Sequence, residues 1–144
     1  MKNIKLTFGK PKNGWLPVEF QSDQVELSFV SSNIPENPTD QLCENLILGL
    51  KGLGSKTFWN LEPDQLVFEL EPLGENFHLT ITEQGENIYF QKGNFERVIL
   101  PLYRGLKKFS TYEINEEDWE SLDSVKLKDL DRLIADRKTA HNNI

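Results

Sequence analysis

Apolar and polar residues alternate along most of the chain between residues 4 and 90, and the alternation breaks where turn-forming residues cluster. Ile4, Leu6 and Phe8 alternate with Lys5 and Thr7, the period of a half-buried strand. "GKPKNG" follows as a loop rich in breakers. Leu16, Val18 and Phe20, then Val25, Leu27 and Phe29, repeat the pattern around a short polar "QSDQ" turn, which predicts a hairpin. In "SSNIPENPTD", Asn37 or Thr39 is placed to cap a helix beginning near residue 39 or 40. Leu42, Leu46, Ile47 and Leu50 form its apolar face, and Gly52 and Gly54 end it.

Alternation then resumes. Trp59 with Leu61, Leu66–Phe68–Leu70, Phe77–Leu79–Ile81, and Ile88 with Phe90 predict four more strands, punctuated by "EPLGEN" and "EQGEN". From Asn94, a fair cap, the period changes to about 3.6 through Phe95, Val98, Ile99, Leu102, Leu106 and Phe109. Pro101 should kink or restart that helix. "INEEDWESL" predicts a short helix capped by Asn115. Ser124 is the expected cap of a last helix whose inner face is Leu127, Leu130, Leu133 and Ile134.

The order is βββα ββββα with helices at the C-terminal end. Hairpin-linked strands with segregated helices predict an α+β fold, its mainly antiparallel sheet having about seven strands. One domain over residues 1–144 is expected, with parts at 1–56, 57–112 and 113–144. Leu6, Phe20, Leu27, Leu46, Trp59, Phe68, Leu79, Ile99 and Leu106 should lie in the core.

Charge changes this picture because it is uneven. The formal net charge is −7, and residues 57–96 alone carry eight acids against Lys92. Phosphates would be repelled there, so no nucleic-acid partner is expected, whereas a basic protein is permitted. A single cysteine, Cys43, excludes an internal disulfide and a cysteine-built zinc site. No apolar run is long enough for a membrane span or a signal peptide, so a cytoplasmic location is expected.

The stretch "NLEPDQLVFELEP" most resembles a site, since it gathers Glu62, Asp64, Glu69 and Glu71 around two copies of Leu-Glu-Pro. If Leu66, Phe68 and Leu70 face inward, Glu69 and Glu71 face out, and Glu62 and Asp64 flank Pro63 in a turn. A catalytic acid pair needs burial to raise one pKa. Nothing in this pattern supplies it, so a solvated or docking surface that also takes in Glu75 and Glu86 is the expected reading. An enzyme would use His78, which faces as Glu69 does and becomes its direct cross-strand neighbour if residue 70 pairs with 77. Neither a nucleophile–base spacing nor a metal or phosphate motif accompanies that pair, so no metal and no cofactor are expected. Cys43, beside Leu42, reads as a small buried hydrophobe.

The segments "GWLPVEF", "FWNLEP…FELEP" and "LYRGLKKF" resemble small bacterial proteins of uncharacterised function. In size, acidity and lack of a catalytic motif the chain also resembles immunity proteins of bacterial toxin systems. That second resemblance implies a non-enzymatic module neutralising a cognate basic toxin, and it assigns no binding residue. The alternatives are a small enzyme on the Glu69/His78 face and a self-associating structural protein.

Overall fold

The computed structural model describes residues 3–142, and the side chains of residues 3–140. The alternating segments become β1 (Lys5–Phe8), β2 (Trp15–Gln21), β3 (Glu26–Ser32), β4 (Ser55–Asn60), β5 (Gln65–Leu73), β6 (Asn76–Glu83) and β7 (Glu86–Gly93). The strands lie side by side in chain order, and every pair is antiparallel. The segments of helical period become α1 (Pro38–Leu50), a π-helical turn (Phe95–Ile99) leading into α2 (Leu100–Phe109), and α3 (Ser124–Asn142). The fold is therefore α+β with an open, mainly antiparallel sheet. Among the described residues no helix is long and apolar enough to cross a membrane.

Local chemistry explains the boundaries. Asn37 caps α1 by accepting from the Thr39 amide at 3.0 Å. At the other end Gly52, at φ +86°, lets the Gly52 and Leu53 amides bond back to the Gly49 and Leu48 carbonyls, the double bond of a glycine-terminated helix. Asn94 caps the next helical segment by accepting from the Arg97 amide. Pro101 falls in the first turn of α2, where its missing amide costs no helical bond, so the helix restarts there. The Asn13–Gly14 pair, both at positive φ, makes the tight turn into β2.

The sheet does not stay flat. Only Ser32 and Asn60 pair between β3 and β4, so β1–β3 and β4–β7 join through a single bridge and turn towards each other. Phe20 of β2 lies 5.6 Å from Phe68 of β5 and 5.2 Å from Tyr89 of β7, ring to ring. Phe29 and Phe8 both pack on Trp59. The helical segment after β7 spans the remaining gap: its π-helical turn packs on β6 and β7, and α2 packs on β1. Tyr112 beyond α2 donates to the Phe8 carbonyl at 3.0 Å, which occupies part of the free edge of β1.

Eight of the nine expected core residues are buried, and Leu27 is only partly buried. Three local expectations are corrected. Residues 116–118 form a turn instead of a helix, because the segment is tied crosswise to its neighbours. Gly14 donates to the Asp118 carbonyl at 2.7 Å, and Trp119 is inserted into the core. The cap of α3 is Asp123, which accepts from the Val125 and Lys126 amides, and not Ser124. In β7 the inward residue is Tyr89, while Phe90 is half exposed. A bulge pairs Ile81 with Tyr89 but Thr82 with Asn87, so Ile88 is the extra residue and the alternation slips by one.

Candidate functional site

The helices cover one face of the sheet and leave the other to solvent, so the sequence-predicted acids must be placed on that open face or at its ends. Glu62, Glu71, Glu75 and Glu86 are exposed, and Asp64 and Glu69 are half exposed. The six do not form one cluster. Glu62 and Asp64 occupy the β4–β5 turn, next to the β6–β7 turn, where the Gln84 amide side chain donates to Asp64 Oδ1. Glu83 and Glu86 flank that second turn as a cross-strand pair, so four acids share this end. Glu71 and Glu75 lie at the opposite end of β5, roughly 20 Å away at the rise of a strand. Glu69, between them, is tied to Lys56 at 3.3 Å.

The Glu69–His78 pair does not form. β5 runs on to Leu73, and Leu73 pairs with Asn76 across a two-residue turn of Gly74 and Glu75. Gly74, at φ +65°, permits that short reversal. Pro72 is accommodated because β4 pairs with β5 only as far as Leu70, leaving no partner for its missing amide. The register therefore sets His78 opposite Glu71 and Lys92, and Glu69 opposite Thr80. The His78 ring meets the edge of Phe90 at 5.2 Å. Such a cross-strand arrangement contributes a few tenths of a kcal/mol to the sheet. Three cavities stand out among the described residues, and neither His78 nor Glu69 lines any of them.

The first cavity, about 420 Å³, lies beside the end of α3. There the Arg137 guanidinium sits 5.8 Å from the Phe77 ring and 5.7 Å from that of Phe95, a cation–π contact. A groove of about 420 Å³ between β1 and α2 carries Lys5, Arg104 and Lys108 over Ile4 and Pro101. The third, about 300 Å³, opens among β1, β2 and β3 near Pro17 and Phe29. No group of three or more His, Cys, Asp or Glu residues suited to a metal occurs among the described residues.

Cys43 points from α1 into the core and is 1% exposed. Burial, reinforced by the negative charge of Asp40, pushes its thiol up to about 12, so the reactive thiolate is suppressed. Iodoacetamide is expected to label Cys43 at the rate of the unfolding equilibrium and not at that of a free thiol. Rapid labelling of the folded protein would place Cys43 at the surface.

Between α2 and α3, Asp131 accepts from the Tyr103 hydroxyl and from Lys107 Nζ, both at 2.7 Å. Burial alone would raise the Asp131 carboxyl, but these two bonds outweigh it and hold the group below the ordinary carboxylate range. The cluster fastens the two helices together.

One surface feature was not singled out from the sequence. Trp15, Val30, Ile34 and Phe58 are exposed and gather around the Ser32–Asn60 bridge. Trp15 pairs with Ser32, and Val30 stands two residues before it on the same face. The Ile34 carbonyl accepts from the Asn60 side chain at 2.7 Å, and Phe58 precedes Asn60 by two. A signal was present: Phe58 and Trp59 are successive residues in one strand, so one aromatic ring must face outward. Comparison with known proteins supplies no relative for this arrangement, since no family model, curated protein or solved structure matches the chain.

Proposed function

We propose that this chain is a non-enzymatic protein-binding module that docks a basic protein, in the form of a cytoplasmic immunity protein neutralising a basic bacterial toxin. The observation that carries the reading is the end of the sheet built from the β4–β5 and β6–β7 turns. Glu62, Asp64, Glu83 and Glu86 stand together there, and no ion pair neutralises them among the described residues. A concentration of one sign at a rim speeds encounter with the opposite sign and weakens over a Debye length of about 8 Å at physiological ionic strength.

The test begins with the protein that co-purifies with this chain from its native host, whose association rate is then measured at low and high salt. The double variant Glu62→Lys/Glu86→Lys should slow association about tenfold at low salt. Its unfolding midpoint should stay close to that of the parent, because both side chains are exposed. A rate indifferent to salt and to charge reversal would reduce the acidic end to a solubility feature.

A further inference from the structure

Eight large hydrophobic side chains are exposed on the described surface, and four of them, Trp15 (36%), Val30 (48%), Ile34 (63%) and Phe58 (40%), surround the single bridge between the two halves of the sheet. Four scattered apolar residues would need no explanation, whereas four set around one bridge are the kind of exposed surface that partners use. A tryptophan among them suits the centre of such a surface, where aromatic anchors contribute most. From the geometry we infer that this patch is the apolar anchor of a docking site for a basic protein whose own apolar side chains seat on Trp15, Val30, Ile34 and Phe58. The inference rests on reading the chain as a docking module, and adds where the partner is gripped once charge has brought it in.

The rim of the patch selects the occupant. Glu36 accepts from Gln41 at 2.6 Å, and Gln41 in turn accepts from the Phe58 amide at 2.6 Å, which sets Glu36 beside Phe58. Glu62 follows Asn60 by two residues and donates its amide to the Asn60 side chain. Asp118 accepts from the Asn13 amide at 3.0 Å, at the turn that leads into Trp15. Of the cations close by in the chain, Lys12 faces Trp15 across that turn and Lys56 is tied to Glu69. Glu36, Glu62 and Asp118 against Lys12 leave the rim net negative. A second copy docked about a two-fold axis would bring the same acids face to face, whereas a basic partner meets them with opposite charge.

A short synthetic peptide alternating lysine with leucine serves as the probe, with lysine–serine and glutamate–leucine peptides as controls. Amide chemical-shift mapping should place the lysine–leucine peptide on Trp15, Val30, Ile34 and Phe58. The double variant Val30→Ser/Ile34→Ser, which alters only exposed positions and whose folding is checked by circular dichroism, should weaken that binding about tenfold. The lysine–serine peptide should bind parent and variant alike, and more weakly. Lysine–leucine binding that is unchanged in Val30→Ser/Ile34→Ser but lost in Glu62→Lys/Glu86→Lys would overturn the anchor and leave the acidic docking module standing. Equal binding of the glutamate–leucine peptide, or no binding by any peptide, would also overturn it. So would sedimentation showing a dimer that Val30→Ser/Ile34→Ser dissociates, since the occupant would then be a second copy.

Discussion

Trp119→Ala is expected to lower the free energy of unfolding by about 3–5 kcal/mol, the cost of deleting a large aromatic from a packed interior. Trp119 lies outside every helix and strand, yet it is 1% exposed and belongs to the main hydrophobic core. Its indole Nε1 donates to Thr39 Oγ1 at 3.2 Å, and the Thr39 hydroxyl donates to the Asn37 side chain that caps α1. Around it, Asp118 is bonded to the β1–β2 turn, the Glu120 carbonyl accepts from Asn37, and the Asp123 amide donates to Asp40. Removing the indole therefore opens a cavity and loosens the strap that crosses the start of α1. Urea unfolding followed by circular dichroism measures the change. Trp119→Phe should cost less, because most of the ring is kept and one hydrogen bond of about 1 kcal/mol is lost. A midpoint unchanged in Trp119→Ala would mean that the strap rests on the surface.

Gly105→Ala is the second large effect, and its sign opposes helix propensity. In an open helix interior the exchange gains about 1 kcal/mol. Here a Cβ on Gly105 would overlap the Leu6 carbonyl oxygen and lie 3.0 Å from the Leu6 Cβ. The obstacle is backbone of an adjacent strand, which cannot rotate aside as a side chain can. Overpacking of this kind costs about 1–3 kcal/mol, so Gly105→Ala should unfold at lower urea concentration than the parent. A gain in stability would show that α2 stands further from β1 than described.

The strands and helices were legible because the chain changes period from two to about 3.6 where the elements change, and because Asn37, Gly52 and Asn94 carry their own capping chemistry. Register was less legible. One glycine decided it, since Gly74 closes the β5–β6 turn in two residues and moves Glu71, instead of Glu69, opposite His78. A bulge is equally hard to read: Ile88, Tyr89 and Phe90 are all apolar or aromatic, and alternation alone does not say which one is the extra residue. Residues 115–119 close a single helical turn, with the Asp118 and Trp119 amides both donating to the Asn115 carbonyl, but it goes no further because Trp119 is drawn into the core. The acidic surface could be placed outward from strand alternation. The gathering of Trp15, Val30, Ile34 and Phe58 depends on how β3 meets β4, a long-range contact that local pattern does not encode.

The closure of the open sheet by the segment after β7 has a consequence for the order in which the molecule is made. β1, β2 and β3 are made before the elements that cover them, with Phe8 and Phe20 on a face whose ring partners are still to come. Their ring partners are Trp59, Phe68, Tyr89 and Phe109, and the Tyr112 hydroxyl reaches the Phe8 carbonyl across 104 positions of chain. Closing a loop of that length loses entropy before any contact repays it, so this closure comes after the hairpins, whose strands all pair with their neighbours in the chain. Until Trp59, Phe68, Tyr89 and Phe109 are in place, Phe8 and Phe20 lack the rings that cover them, and an uncovered apolar face of that kind is the form of an incomplete fold most prone to aggregate.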